Sequence, residues 1–485
     1  MVLRWLPADQ LGPHFLDDTE QRVLVIEAKG DFRGRRVHRQ KAHLILSALR
    51  HRAAELGDRA VQLRVDTVPE AFERLREPVE VCHPTSRQAL EFARTAGLTV
   101  LPARGFVTDH RDFVAWADSR RGALRVADFY RFARERHRVL LAGPAAAGAA
   151  ATARGVVARR GSGSPVPPPP APVEDEIDAE VRRELDRWAA EGIRFVGRDG
   201  PRRYPVTAAE AEARLAHFLT HRLPAYASLR RSVRSGDPYL AHSVLSPAFN
   251  LGLLDPLPVI RRVEQAGRAG GAPPAAVETF VRQLLGWRDF LWHLYWYFDP
   301  GFRSGNWLAA QEPVPDWFAD LDADAVEAAC LADALAGVRD GGWAHQEQRL
   351  MVLGNYALQR GWRPAELVSW FRDSFVDGSD WVMNATVIGL SQYADLGRIA
   401  TDAYAADGSY LDRVSDHCGG CRYDPRRGLG DDACPFTGGF TSFLHRNQNR
   451  LRDNPRMLAA VRRLGSEDDL PGVLAQEEKR GSNPP

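Results

Sequence analysis

One run in this chain has no means of forming a core, and it divides the sequence into two unlike parts. Residues 142–172 begin A-G-P-A-A-A-G-A-A-A-T-A-R-G and end G-S-G-S-P-V-P-P-P-P-A-P. Glycine and serine leave a chain flexible and a proline run keeps it extended, so this segment is typical of a linker. The 485 residues are enough for more than one domain. We therefore expect domains at 1–141 and 173–475, and a tail at 476–485.

The part before the linker alternates short β-rich runs with stretches of helical periodicity. This alternation predicts an α/β domain, with a Rossmann-like parallel sheet and helices on both faces. It contains no G-x-G-x-x-G and no P-loop, so no dinucleotide or phosphate site is indicated there. The predicted strands are 3–6, 22–28, 60–65, 79–82 and 98–102, and the predicted helices are 38–55 and 86–95.

Polar residues follow two of these strands. Asp9 comes after the first strand, where open α/β sheets place ligand contacts, and Asp31 follows the second. Solvated loop carboxylates are the alternative interpretation. The basic run 33–41 (R-G-R-R-V-H-R-Q-K) is typical of the solvated start of a helix.

The part after the linker is almost wholly helical in its pattern. Apolar residues recur every three or four positions, which predicts an all-α domain. The segments with this pattern are 208–219, 275–297, 323–338, 345–360 and 364–375.

Charge and termini limit the possible partners. Lys and Arg number 64 against 63 Asp and Glu, a net charge of +1. Any nucleic-acid binding must therefore be local rather than a property of the whole surface. The N-terminus lacks the pattern of a secretory signal, and no run is long and apolar enough for a membrane span, so we expect a cytoplasmic protein.

Three of the five cysteines lie close together. Cys418 and Cys421 form a C-x-x-C pair, and Cys434 follows with a proline after it. Clustered thiols outside an oxidising compartment usually hold a metal. The fourth ligand would be Cys82, Cys330 or a histidine such as His417. The C-P ending is common in ferredoxins and favours a 4Fe–4S cluster, with zinc and unliganded buried cysteines as alternatives.

Tryptophans are concentrated in the helical part. Such groups usually pack a hydrophobic core, but tryptophans beside a redox centre can also carry electrons. They include Trp287, Trp292, Trp296, Trp343, Trp362, Trp370 and Trp381.

Five motifs in a fixed order resemble one family. They are H-S-V-L-S-P-A-F-N-L-G-L-L (242–254), V-R-Q-L-L-G-W-R-D-F (281–290), A-H-Q-E-Q-R-L-M-V-L-G-N-Y-A-L (344–358), V-I-G-L-S-Q-Y-A-D (387–395) and the cysteine cluster. Together they resemble the photolyase/cryptochrome superfamily, and in it the iron–sulfur bacterial cryptochromes and photolyases, also called prokaryotic (6-4) photolyases. The resemblance covers nearly the whole chain outside the linker.

The resemblance implies an N-terminal antenna domain and a C-terminal helical domain that binds FAD. It implies a 6,7-dimethyl-8-ribityllumazine antenna against Asp9 and Asp31, although Asp31 stands where relatives carry glutamate. Cys82 becomes an ordinary buried thiol. The implied 4Fe–4S ligands are Cys330, Cys418, Cys421 and Cys434.

The resemblance also implies a set of flavin contacts. Hydroxyl groups and a helix N-terminus suit the pyrophosphate, and Arg349 and Asp395 would be charged partners beside the isoalloxazine. Helix capping or a buried ion pair is the alternative for each residue taken singly. The implied contacts are Ser243, Leu245, Ser246, Asn250, Gln283, Trp287, Arg288, His345, Arg349, Asn355 and Asp395.

The implied activity is blue-light repair of UV-damaged DNA. Reduced FAD would give an electron to a (6-4) lesion flipped out of the duplex, with His345 and Tyr404 on the substrate side and Trp370 in electron transfer. The family pattern is broken at Gln346, where relatives have a second histidine, and at Phe371, where they have tyrosine. Glutamine cannot act as an acid.

Further departures lead to alternatives. The loop that contacts the lesion in relatives is replaced by the linker. Leu390 stands where relatives usually have methionine, and Ala319 stands where a tryptophan is expected. We therefore expect either a DNA photolyase or a cryptochrome-like photoreceptor or redox flavoprotein that has lost repair. A zinc-stabilised helical binding module is a third hypothesis. We expect a monomer that does not bind membranes.

Overall fold

The computed structural model describes residues 2–141, 166–400 and 403–485. Most of the predicted linker, 142–165, lies outside the described residues. Residues 166–175 contain no helix or strand. The carbonyl oxygens of Pro167 and Pro170 accept hydrogen bonds from Arg222 (2.5 Å) and Arg214 (2.8 Å), so this segment is fixed against the helices that follow.

Residues 2–141, here the α/β part, are built on a five-stranded parallel sheet with the order β4-β2-β1-β5-β6. All six residues of β2 are buried, as expected for a strand covered on both faces. The predicted parallel sheet is confirmed. The strands are β1 Leu3–Trp5, β2 Val23–Ala28, β4 Ala60–Val65, β5 Val79–Cys82 and β6 Thr99–Leu101, and the helices are α1 Arg39–Leu56, α2 Val68–Glu73, α3 Arg87–Thr95, α4 His110–Asp118 and α5 Val126–His137.

Residues 166–485, here the helical part, contain one further strand, β7 Phe195–Val196, which pairs in parallel with β3 Val37–His38 of the α/β part. The predicted helical class is confirmed. Its helices are α6 Glu176–Ala190, α7 Ala208–His217, α8 Leu223–Leu229, α9 Ser246–Asn250, α10 Pro256–Arg268, α11 Pro274–Val281, α12 Asp289–Tyr297, α13 Asp316–Ala319, α14 Ala329–Gly341, α15 Asn355–Arg360, α16 Pro364–Ser374, α17 Asp380–Met383, α18 Gly408–Val414, α19 Pro435–Leu451, α20 Leu458–Arg463 and α21 Leu470–Arg480.

Four described segments of the helical part form wide, π-type turns. Phe218–Arg222 joins α7 to α8, and the other three are called the three wide turns here. Arg282–Arg288 joins α11 to α12 without a break, Gln348–Gly354 leads into α15, and Asn384–Ser391 continues α17. Turns of this kind are uncommon and occur often at functional sites, because the extra residue redirects side chains.

The two parts share one hydrophobic core. Phe106 of the α/β part stacks on Trp292 of α12, with ring centres 4.3 Å apart, and Phe129 of α5 packs on Phe290 at 5.5 Å. Among the described helices, none is long and apolar enough to cross a bilayer.

Candidate functional site

The three wide turns meet at one cavity in the helical part. The space inside it is about 920 Å³ when its open mouth is included. Gln283 and Trp287 come from the first turn and Arg349 from the second. Ser246 and His345 complete the set of predicted flavin contacts that line this cavity.

Arg349 is fixed at the cavity wall by a carboxylate that the sequence analysis missed. Its Nη1 and Nη2 donate to Oδ1 and Oδ2 of Asp377 at 2.9 and 3.0 Å. Ser246 Oγ donates to the same carboxylate at 2.6 Å, and Asn250 Nδ2 donates to the Asp377 carbonyl at 2.7 Å. A bidentate pair of this kind fixes the orientation of both groups. The available signal was an aspartate in the apolar run F-V-D-G.

Asp395, the second charged residue expected beside the flavin, lies away from Arg349 in a loop of its own. The Asp395 carboxylate accepts instead from the backbone N–H groups of Gly397 and Ile399, each at 3.0 Å. Burial raises the pKa of Asp395 to about 6, and those amides oppose the rise. Asp395 therefore shapes the loop behind the wall and does not line the cavity.

Five other predicted flavin contacts also lie outside the described wall of the cavity. Arg288 donates to Asn250 Oδ1 at 3.1 Å, and its guanidinium lies 4.8 Å from the ring centres of both Phe106 and Trp381. It therefore packs between the two parts of the molecule. Asn355 Nδ2 donates to the carbonyl of Ala406 at 2.9 Å. The two remaining residues precede α9: the Ser243 hydroxyl accepts from the N–H of Leu245 at 3.4 Å, and Leu245 is fully buried.

Two stacked histidines stand at the cavity wall. The rings of His242 and His345 lie 4.7 Å apart and are tilted by 9°. Burial lowers the pKa of His242 to about 3 and that of His345 well below its usual value. Both ring nitrogens of His345, and Nε2 of His242, are buried without a protein partner. A ligand that offers hydrogen-bonding groups would satisfy them.

Three of the positions where the family pattern breaks lie around the same cavity. Gln346 is exposed at its mouth, and Phe371 and Leu390 line it. Tyr404 is partly buried between the two largest hydrophobic clusters and is not a lining residue.

An aromatic series leads away from the cavity. Phe371 contacts Trp370 with ring centres 4.8 Å apart, and Trp370 contacts Phe318 at 4.4 Å. Phe318 contacts Trp362 at 4.7 Å, and Trp362 contacts the partly exposed Trp317 at 6.1 Å. Ala319, where a tryptophan was expected, follows Phe318 and is partly buried against the same hydrophobic cluster.

The four predicted metal ligands surround a second, small cavity. Cys330 comes from the start of α14, Cys418 and Cys421 from the loop after α18, and Cys434 from the residue before α19. None of the five cysteines forms a disulfide. Burial raises the pKa of Cys330 well above its usual value, and the three other sulfurs raise it further. A cationic group would reverse this effect and stabilise the thiolates.

The sulfurs are widely spaced. Within the described residues, no three of them lie within 4.8 Å of one another. A tetrahedral zinc ion with Zn–S bonds of about 2.3 Å needs sulfurs about 3.8 Å apart. Cys82 lies elsewhere, fully buried beside Arg4 in the sheet.

Asp9 and Asp31, the two residues predicted to contact the antenna, have separate surroundings. Asp9 accepts a hydrogen bond from the Thr85 hydroxyl, between the ends of β1 and β5, and burial raises its pKa. Asp31 is exposed, and within the described ranges no hydrogen bond or ion pair connects it to Asp9.

Sequence comparison identifies the family. The chain is 32% identical to the (6-4) photolyase of Agrobacterium fabrum over 476 residues, which cover 93% of this chain and 92% of that protein. The chain belongs to the photolyase/cryptochrome superfamily. A family model described as deoxyribodipyrimidine photo-lyase-related protein matches residues 4–193.

Solved structures of the superfamily share the fold. A bacterial class III photolyase from Agrobacterium tumefaciens aligns with a TM-score of 0.50 at 16% identity, covering 81% of this chain and 79% of its own. The cryptochrome of Synechocystis sp. PCC6803 aligns with a TM-score of 0.53 at 14% identity, covering 80% and 82%. At these identities the likeness concerns the superfamily fold alone.

Proposed function

We propose that this chain is a blue-light-dependent flavoprotein that repairs (6-4) lesions in UV-damaged DNA. Its FAD would occupy the cavity between the three wide turns. The observation that carries the proposal is a wall with the oriented Arg349–Asp377 pair and the unpartnered nitrogens of His345, in a chain related along its length to a (6-4) photolyase.

The residues of the wall fit a flavin dinucleotide. Arg349 offers a fixed positive charge, and Ser246 and Gln283 offer hydrogen-bonding groups. Trp287 and Leu291 supply apolar surface for a planar ring. Asn250, Arg288, Asn355 and Asp395 then act from behind the wall by fixing the segments that form it.

Bound FAD in its reduced form supplies the electron that opens the lesion under blue light. Gln346, exposed at the mouth, would orient the flipped base by hydrogen bonds but cannot give it a proton. His345 is buried and its pKa is low, so it is neutral at pH 7 and acts as a hydrogen-bonding group. We place Tyr404 on the substrate side and Trp370 in electron transfer.

We further propose that Cys330, Cys418, Cys421 and Cys434 hold a 4Fe–4S cluster. The wide spacing of the sulfurs supports a cluster over zinc. Four thiolates also suit iron–sulfur ligation.

The remaining assignments complete the proposal. Residues 1–141 would form an antenna domain, 142–172 a linker, 173–475 the cofactor-binding domain and 476–485 a tail, although 476–480 continue α21. Asp9 would contact a ribityllumazine, with Asp31 at its exposed edge. The protein would be a cytoplasmic monomer.

A second function is favoured by the substitutions at the cavity. Gln346 and Phe371 remove an acid and an oxidisable ring from the places where relatives use them. A photoreceptor or redox flavoprotein that binds FAD without repairing DNA would need neither.

Repair of a defined oligonucleotide separates the two functions. The full-length protein is reduced, mixed with an oligonucleotide that holds one (6-4) lesion, and illuminated with blue light. We expect light-dependent recovery of the undamaged bases, slower than for a relative with histidine in place of Gln346. Normal flavin photoreduction without recovery would select the photoreceptor, and Gln346→His then tests whether the missing acid is the cause.

A further inference from the structure

The basic run 33–41, which ends in the first turn of α1, connects the α/β part to the helical part. Arg35 forms an ion pair with Asp373 of α16, and His38 Nε2 lies 3.1 Å from the carbonyl oxygen of Arg339. The sequence predicted a solvated helix start here, and that prediction is wrong at Lys41. Only 6% of Lys41 is exposed, and a lysine so buried needs acceptors from the protein.

Both acceptors of Lys41 are carbonyl groups of the helical part. Its Nζ donates to the oxygen of Arg372 at 2.5 Å and to the oxygen of Gly378 at 2.7 Å. Arg372 lies in the last turn of α16, and Gly378 lies in the loop before α17. The segment between them is called the turn 372–378 here. A Cβ on Gly378 would lie 2.3 Å from the oxygen of Arg372, so the turn requires glycine there.

The turn that Lys41 closes carries Asp377, the carboxylate that orients Arg349. Val376 N–H donates to the carbonyl of Gly342 at 2.8 Å. Three contacts therefore fix the turn. Lys41 binds its two ends, the Val376 N–H binds Gly342, and Ser246 binds the Asp377 carboxylate.

Charge supports the same arrangement. Burial lowers the pKa of Lys41 to about 8, with Arg35 and Arg372 also lowering it, while Asp373 and Asp377 raise it. The side chain therefore stays an ammonium group at neutral pH. The two carbonyl oxygens and the two nearby carboxylates offset part of the cost of burying this charge beside Arg35 and Arg372.

We propose that Lys41 is a positioning residue for the flavin cavity: by closing the turn 372–378 from the α/β part, it holds Asp377 where Arg349 needs it. Docking of the α/β part is thereby coupled to cofactor affinity. The effect on cofactor affinity rests on the proposed function, FAD binding. The closing of the turn by Lys41 is independent of it.

The test uses Lys41→Met in the full-length protein, with Lys29→Met as the matched control. Lys29 is a lysine of the same part whose ion-pair partner, Glu191, is exposed and lies outside the turn 372–378. Two quantities are measured: hydrogen exchange of the Val376 amide, and the dissociation constant of FAD from cofactor-depleted protein. We expect Lys41→Met to speed the exchange and weaken FAD binding, each about tenfold, since a lost buried hydrogen bond is of that order. Exchange in the β2–β4 ladder should not change.

A double-substitution cycle tests whether Lys41 acts through Asp377. In an Asp377→Asn background, Lys41→Met should weaken FAD binding much less than in the wild type, because effects on one network are not additive. Equal effects in both backgrounds would contradict the proposal. So would unchanged Val376 exchange in Lys41→Met.

The test still gives an answer if Lys41→Met does not fold or if the wild type binds no FAD. If Lys41→Met does not fold, Lys41→Gln, which keeps donor hydrogens, should fold and give an intermediate increase in exchange, and no increase would overturn the inference. If the wild type binds no FAD, the proposed function fails, while Val376 exchange still decides whether Lys41 closes the turn.

Discussion

His242 and His345 show how the cavity wall controls protonation. They are stacked, buried and without protein partners for three of their four ring nitrogens. Burial disfavours the charged form of both rings. The folded protein therefore keeps them neutral at pH values where an exposed histidine would be charged.

This pair predicts a pH dependence of stability. The folded pKa of His242 is about 3, against about 6.5 when unfolded. Below pH 6.5 the unfolded chain takes up a proton that folded His242 does not, so the free energy of unfolding falls as pH falls, by about 1.4 kcal/mol per pH unit. Urea unfolding at pH 7.5 and 5 should show His242→Asn losing about 2 kcal/mol less than the wild type over this interval. His445→Asn, at an exposed position on α19, is the control and should follow the wild type.

The start of α19 explains the placement of Cys434. The residue precedes the helix, with Pro435 in the first turn, where a missing N–H costs nothing. Burial raises the pKa of Cys434, and the N–H groups of Phe436 and Thr437 lower it by donating to the sulfur. The C-P pair is thus a helix start that places a sulfur beside two backbone N–H donors.

Gly408 at the start of α18 tests this packing. A Cβ there would lie 2.8 Å from Cys434 Sγ and 2.6 Å from the Pro425 oxygen, so Gly408→Ala should cost about 1–3 kcal/mol of stability and lower the iron bound per chain. Gly420, between Cys418 and Cys421, has no atom within 4 Å of such a Cβ. Gly420→Ala should keep its iron, and equal iron contents in the two variants would contradict the assigned cysteine geometry.

At the level of elements, local periodicity was sufficient to predict a strand or helix wherever one face of that element packs against the core. The strands at 60–65 and 79–82 and the helical stretch to Tyr297 match their predicted limits. The helix predicted from 323 begins at Ala329, because a short 3-10 turn and a break precede it. Periodicity could not reveal the roles of Asp377 or Lys41, since these depend on partners that are distant in the sequence: Arg349 and Ser246 for Asp377, and Gly378 for Lys41. The fold was therefore more predictable than the cavity wall.

At the scale of the whole molecule, aromatic side chains connect the cavity to the surface. The contacts from Phe371 through Trp370, Phe318 and Trp362 are all shorter than 5 Å between ring centres. Phenylalanine is much harder to oxidise than tryptophan. Trp370 and Trp362 are therefore the rings of this series that can be oxidised during electron transfer. The same series ends at Trp317, which is partly exposed.

Substitution of these tryptophans should slow flavin photoreduction. We expect Trp370→Phe and Trp362→Phe each to lower its rate several-fold in the presence of an external reductant, measured by the loss of oxidised flavin absorption. Trp5→Phe, in the sheet of the α/β part against Phe72 and Phe92, should leave the rate unchanged. An unchanged rate in both helical variants would mean that electrons enter by another route.

The cofactor content of the purified full-length chain tests the central claim most directly. FAD, iron, sulfide and zinc are quantified per chain after anaerobic purification. We predict one FAD together with the four irons and four sulfides of a single cluster, and no zinc. A colourless protein that carries zinc or no metal, and no flavin, would contradict the account.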